Sequence, residues 1–181
     1  MLVVDNTSPF TAEILSCLSQ LGMPYIYKRF SEVSDTDLSK CHKVILSGRR
    51  KHSKQINMVN SRIARYCYHD GKPLLGICYG AEIIALTFGG SICKMPAHLH
   101  GMTLVSVSIP NPLMEEKKSM LVYESHGYFI AKLPVNFKSL ASSKHCEHEV
   151  FASDSTIFGT QFHPEKSGSD GLALLKNFSR I

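Results

Sequence analysis

Leu74-Leu75-Gly76-Ile77-Cys78-Tyr79-Gly80 reads as an apolar strand that runs through a turn into a helix. An unbroken apolar run such as Leu74 to Ile77 suits a strand covered on both faces of a sheet. A cysteine stands where strand gives way to helix, with one glycine two residues before it and another two after. This is the cysteine form of the nucleophile elbow, the sharp turn that lifts a reactive side chain out of a sheet. The side-chain-free positions permit a strained turn. The helix N-terminus lowers the thiol pKa and offers free N–H groups to an oxyanion. The same residues also fit a buried strand thiol between glycines that merely pack.

Upstream, Leu2 to Val4 is a short apolar run ended by Asp5-Asn6, and Ser8-Pro9 supplies a cap and a first-turn proline. Phe10, Ile14, Leu18 and Leu21 then trace a helical face stopped by Gly22 and Pro24. Tyr25 to Lys28 and Lys43 to Ser47 are the next strands, with Ser31 to Lys40 a polar connection between them. Ile56, Val59, Ile63 and Tyr66 mark a further helix, which Asp70-Gly71-Lys72-Pro73 ends. Strands alternating with helices imply a doubly wound, mostly parallel α/β sheet flanked by helices on both faces.

Downstream the rhythm changes. Val105, Val107 and Ile109 alternate with serines, and Met120 to Tyr123, Lys138 to Ala141, Glu149 to Ala152 and Thr156 to Phe162 follow as antiparallel or mixed strands. Asp170 to Phe178 closes the chain as a helix. No repeat or linker interrupts it, so residues 1–181 are expected to form a single domain.

Composition excludes several classes of function. With 44% apolar residues in 181, the chain can bury a core large enough to offset its entropy, so disorder is excluded. The net charge of +5 is spread thinly, so no nucleic-acid surface is expected. Pro73 to Cys93 carries one charged residue, Glu82, and is long enough for a bilayer span. Its four glycines and central acid fit a buried strand, turn and helix better. The start MLVVDNTSPF has no basic leader, so a cytoplasmic protein away from the membrane is expected. Six cysteines form no CxxC pair and read as reduced thiols.

A thiolate nucleophile needs a proton carrier. His163, in Gly159-Thr160-Gln161-Phe162-His163-Pro164-Glu165, ends a strand and is followed by a proline and a carboxylate. Glu165 can accept from one ring nitrogen while the other faces Cys78. A surface His-Pro-Glu turn would carry the same letters. His98 and His100 read as a solvated loop, and neither they nor His145 and His148 around Cys146 complete a zinc set, so no metal is expected.

GICYG followed by GTQFHPE resembles the class I, or triad, glutamine amidotransferases, and DNTSPFT, VILSG and GLALLKNF extend the resemblance over nearly the whole chain. The resemblance implies hydrolysis of glutamine to glutamate and ammonia. Cys78 would form a γ-glutamyl thioester, His163 would transfer protons and Glu165 would orient it. Backbone N–H groups of Gly48 and Tyr79 would hold the oxyanion. Glu82 and the segment Ser125, His126, Gly127 and Tyr128 would line the glutamine site.

Glu124 to Ile130 and the stretch around Cys146 are similar to the GMP synthetase branch. VVDNTSPFT is similar to the anthranilate and aminodeoxychorismate synthase glutaminases, and PEKSGSDGLALLKNF to the imidazole glycerol phosphate synthase one. The GMP synthetase type implies ammonia delivery to a separate ATP-dependent synthetase, with ATP and magnesium on that partner and no cofactor in this chain. A free-standing γ-glutamyl hydrolase and a non-catalytic binding homologue are the other readings. Three positions depart from the family. Arg49-Arg50 follow Ser47-Gly48 where Gly-Pro is usual, Glu82 replaces a glutamine, and Tyr128 replaces an aspartate. A carboxylate at 82 accepts hydrogen bonds without donating them and repels a substrate carboxylate.

Overall fold

The computed structural model describes residues 1–153 and 156–181. The chain alternates β1 (Leu2–Asp5), α1 (Thr11–Gln20), β2 (Ile26–Arg29), α2 (Asp35–Lys40), β3 (Val44–Leu46), α3 (Lys54–His69), β4 (Leu74–Ile77) and α4 (Tyr79–Thr87). Strands then dominate: β5 (Ser91–Val107), β6 (Ser119–Lys132), β7 (Phe137–Ser142), β8 (Val150–Ser153) and β9 (Ile157–Thr160), before α5 (Gly168–Phe178). They share one sheet, in the order β2-β1-β3-β4-β9-β8-β7-β5-β6. The five strands from β2 to β9 run parallel, and the pairings beyond β9 are antiparallel.

Alternate residues of the parallel strands supply two cores. Leu2, Val4, Val44, Leu46 and Leu74 pack with Leu38 of α2, Ile56 and Ile63 of α3 and Ile84 of α4. Val3, Ile45 and Leu75 face the other way, onto Ile14 and Leu18 of α1 and Leu174, Leu175 and Phe178 of α5. A strand buried on both faces has no polar alternation, which is why these segments are continuously apolar. The expected α/β architecture with antiparallel strands added in the C-terminal half is the one observed.

The structure departs from the sequence expectations in four places. Ser8 and Pro9 precede α1 without capping it. Asp5 Oδ1 accepts the N–H groups of Thr7 (2.8 Å) and Ser8 (3.3 Å) and the Thr11 hydroxyl (2.7 Å), holding the chain in a turn before the helix starts. The connection Ser31 to Lys40 contains α2, whose N-terminus is a reciprocal cap: Asp37 N–H donates to Ser34 Oγ and Ser34 N–H to Asp37 Oδ2. The antiparallel ribbon starts at Ser91, ahead of Met102, and pairs as far back as Ser91↔Lys132. Its first half has no period-two pattern because the register shifts between Lys94 and Leu99, so His98 and His100 lie on β5 and not in a loop. Finally, β9 ends at Thr160, leaving His163 beyond the strand.

Candidate active site

Cys78 joins β4 to α4 with φ 52° and ψ −107°, a region that a side chain occupies only when its surroundings force it. Its N–H donates to the Thr160 carbonyl (2.7 Å) and its carbonyl accepts from Glu82 N–H (3.0 Å). The flanking glycines act by close approach, since neither has a positive φ. A Cβ on Gly76 would lie 2.4 Å from the Gly80 carbonyl oxygen, and one on Gly80 would lie 2.4 Å from that of Leu46. They let helix, elbow and sheet pack at backbone contact, and the strain sits on the cysteine itself.

His163 reaches the elbow from the segment between β9 and a 3₁₀ turn at Pro164–Lys166. Pro164 starts that turn. The His163 N–H donates to the Tyr123 carbonyl (2.9 Å), and its own carbonyl accepts from the Ser167 hydroxyl (2.6 Å). The Phe10 ring meets the imidazole edge-on, with centroids 4.9 Å apart. Nδ1 lies 2.8 Å from Glu165 Oε1, and the imidazole and the Cys78 thiol line one pocket and act on each other directly. With Nδ1 turned to Glu165, Nε2 is the nitrogen left for the sulfur. All three side chains are buried, and Cys78 keeps 8% of its surface exposed.

Burial pushes the Cys78 thiol above its ordinary pKa, against the attraction of His163 and the N–H of Tyr79. The helix-terminus lowering expected from sequence is therefore outweighed by desolvation. Burial also disfavours charge on His163, but Cys78 and Glu165 together overcome it and hold the imidazole well above its ordinary value.

Gly48 approaches the His163 ring, and Tyr79 follows Cys78 at the start of α4. A Cβ on Gly48 would sit 3.3 Å from His163 Cε1 and 3.3 Å from Ser8 Oγ. Tyr79 is the first residue of α4, so its N–H has no acceptor within the helix. The loop carrying Gly48 is held by a buried amide pair that the sequence reading missed. Asn6 Nδ2 donates to the Ser47 carbonyl (3.0 Å) and to Asn60 Oδ1 (3.0 Å), while Asn60 Nδ2 returns a bond to Asn6 Oδ1 (2.7 Å). The signal was available, because Asn60 interrupts the buried face that Ile56 and Ile63 define on α3.

A cavity of about 470 Å³ opens beside the sulfur, lined by Cys78, Tyr79 and all five predicted substrate-site residues: Glu82, Ser125, His126, Gly127 and Tyr128. Arg49 lines it too, its guanidinium 3.9 Å from the Tyr79 ring centroid and 2.8 Å from Asn57 Oδ1, which also accepts the Tyr79 hydroxyl (3.0 Å). Glu82 is buried at the pocket wall and accepts a 3.4 Å bond from Gln161 Nε2. Burial raises the Glu82 pKa, moving the carboxyl toward its neutral form. Among the described residues, no three His, Cys, Asp or Glu side chains are grouped to hold a metal ion, and no helix is long and apolar enough to cross a membrane.

The sequence model of the family described as glutamine amidotransferase class-I matches residues 2–181. A GMP synthase [glutamine-hydrolyzing] of Borreliella burgdorferi is 32% identical, covering 98% of this chain and 35% of its own. One from Aliarcobacter butzleri is 34% identical, covering 99% of this chain and 36% of its own. The chain thus spans about a third of the length of these relatives. Among solved structures, a putative GMP synthase subunit from Thermoplasma acidophilum superposes with a TM-score of 0.87 at 30% identity, over 98% of this chain and 90% of that one. A glutamine amidotransferase of Thermotoga maritima, at 18% identity and a TM-score of 0.78 over 99% and 89%, shares the fold.

Proposed function

The chain belongs to the class I glutamine amidotransferases, and on that premise we propose that Cys78, His163 and Glu165 hydrolyse glutamine to glutamate and ammonia. The observation that carries the proposal is the elbow cysteine sharing a pocket with an imidazole whose Nδ1 is held by a buried carboxylate. Cys78 passes its proton to His163 and attacks the side-chain amide carbon. Gly48 and Tyr79 N–H groups hold the oxyanion. The imidazolium protonates the departing ammonia, and a water then deprotonated by His163 releases glutamate from the thioester. Glu165 stabilises the imidazolium between these steps.

The pocket favours free glutamine as the substrate. Burial shifts the Glu82 carboxyl toward its protonated form, in which it donates as well as accepts, as a glutamine amide does. Arg49 is stacked and hydrogen-bonded in the pocket wall.

We further propose that the ammonia goes to an ATP-dependent synthetase that makes GMP from XMP and that itself holds ATP and magnesium. Similarity to GMP synthases supports this acceptor. Labelling with a glutamine-analogue electrophile tests the first step: the expected product is a single Cys78 adduct, and Cys78→Ala should lose both the adduct and glutamate release. Retained hydrolysis in that variant overturns the mechanism. Hydrolysis should rise when a synthetase loaded with its nucleotide substrates is added, and indifference to it removes the coupled reading.

A further inference from the structure

Behind the pocket wall lies a cluster that the hydrolysis steps do not use. Glu124 and Glu149 are both fully buried, Glu124 on β6 and Glu149 just before β8. His126 bridges this pair to the pocket. Its Nε2 is 2.9 Å from Glu124 Oε2, and its Nδ1 is 2.6 Å from the Tyr128 carbonyl. Ser143 Oγ donates to Glu149 Oε1 (2.6 Å). Two oxygens are left without a partner, Glu124 Oε1 and Glu149 Oε2.

Elementary accounting assigns the protons. A carbonyl only accepts, so His126 Nδ1 donates to Tyr128. One proton must then lie between Nε2 and Glu124 Oε2. The two orphaned oxygens belong to carboxyl groups that interact directly. Two ionised carboxylates cannot share a buried site, and a single proton between them satisfies both orphans at once. The resulting chain, Ser143–Glu149–Glu124–His126–Tyr128, has every hydrogen bond made and no net charge.

We propose that Glu124 and Glu149 share one proton and, through His126, act as positioning residues that hold the wall Ser125 to Tyr128 in its glutamine-binding form. The proposal rests on that pocket being the glutamine site. When the shared proton leaves, two buried negative charges face each other. His126 is the member of the chain that lines the pocket, so a change at Glu124 reaches the glutamine site through it. Glu149 is pushed up to about 8 by burial first and by Glu124 second, which puts this loss within reach of mildly alkaline solution. The other groups facing the pair are the Cys146 thiol and the Ser143 hydroxyl from the β7–β8 connection and the Gln161 N–H, which donates to the Glu149 carbonyl (2.8 Å). Glu82 of α4 acts on the far side of His126.

Infrared difference spectra and steady-state kinetics across pH, on the whole chain, test this. The wild type should show a buried carboxylic-acid C=O band near neutral pH that fades as pH passes about 8. KM for glutamine should rise several-fold over the same range with kcat following a separate profile. Glu149→Gln replaces the shared proton by a permanent amide donor; compared in a Glu82→Gln background, which removes the other buried carboxyl of the pocket, it should lose the titrating band and keep a flat KM. Cys78 and His163 titrate in both proteins and cancel in the comparison. Absence of the band in the Glu82→Gln background, or an alkaline rise of KM that persists when Glu149→Gln is added to it, overturns the proposal. The band needs no turnover. A chain that shows it yet hydrolyses no glutamine would overturn the glutaminase reading while leaving the shared proton established.

Discussion

At the residue scale, the site is governed by what burial does to charged groups. Glu165 offers one oxygen to His163, and its second oxygen has no partner. Its value therefore lies in the single bond that fixes the ring, and Glu165→Gln should lower kcat by about 10²–10⁴-fold, the range that a positioned proton carrier supplies, with KM little changed. Steady-state kinetics check this. Glu82 has a raised pKa in the folded chain, so the stability it contributes is present at low pH and lost as pH rises through the folded value. Glu82→Gln removes that loss, and melting temperatures should show the variant gaining on wild type at pH 8 and the gap closing at pH 5. The identities of Cys78, His163, Glu165 and Glu82 were legible from motif and spacing. Asn6, Glu124 and Glu149 were not, because a polar residue becomes informative only once burial shows that its partners are fixed, and Asn60 showed only as a polar break in the apolar face of α3.

At the scale of elements, the elbow works because three backbones meet without side chains between them. Gly80→Ala places a Cβ 2.4 Å from the Leu46 carbonyl oxygen, which belongs to rigid sheet. The variant should lose about 1–3 kcal/mol in chemical denaturation, the usual cost of overpacking, and should also lower kcat by shifting the start of α4. Stability unchanged within error would show that the helix can retreat. The parallel strands were readable because burial on both faces leaves an unbroken apolar signature. Of the β5–β6 ribbon only the stretches around Val105 and Met120 to Tyr123 were, since half of its residues face solvent and the irregular register between Lys94 and Leu99 erases the alternation elsewhere. The short helix α2 carried a readable signal in Ser34 and Asp37, but with Leu38 as its one buried residue it shows almost no apolar face.

At the scale of the whole molecule, buried acids should make stability fall with pH. Glu149 moves from an ordinary 4.5 to about 8 on folding, so the folded state holds a proton that the unfolded chain releases. Its contribution is fully present below about 4.5, declines as pH rises and levels off above about 8. Denaturation curves across that range should slope downward in wild type and more gently in Glu149→Gln, and parallel slopes would show that the cluster is already relaxed by water. The sequence by itself determined the α/β class and singled out the proposed nucleophile and proton carrier, because these depend on apolar patterning and on short motifs whose residues are neighbours in the chain. Only the tertiary structure decided how the thiol, the imidazole and the pocket acids share their protons. That sharing depends on desolvation and on contacts such as Cys78 with His163, or Glu124 with Glu149, between groups far apart in sequence that only the folded sheet brings together.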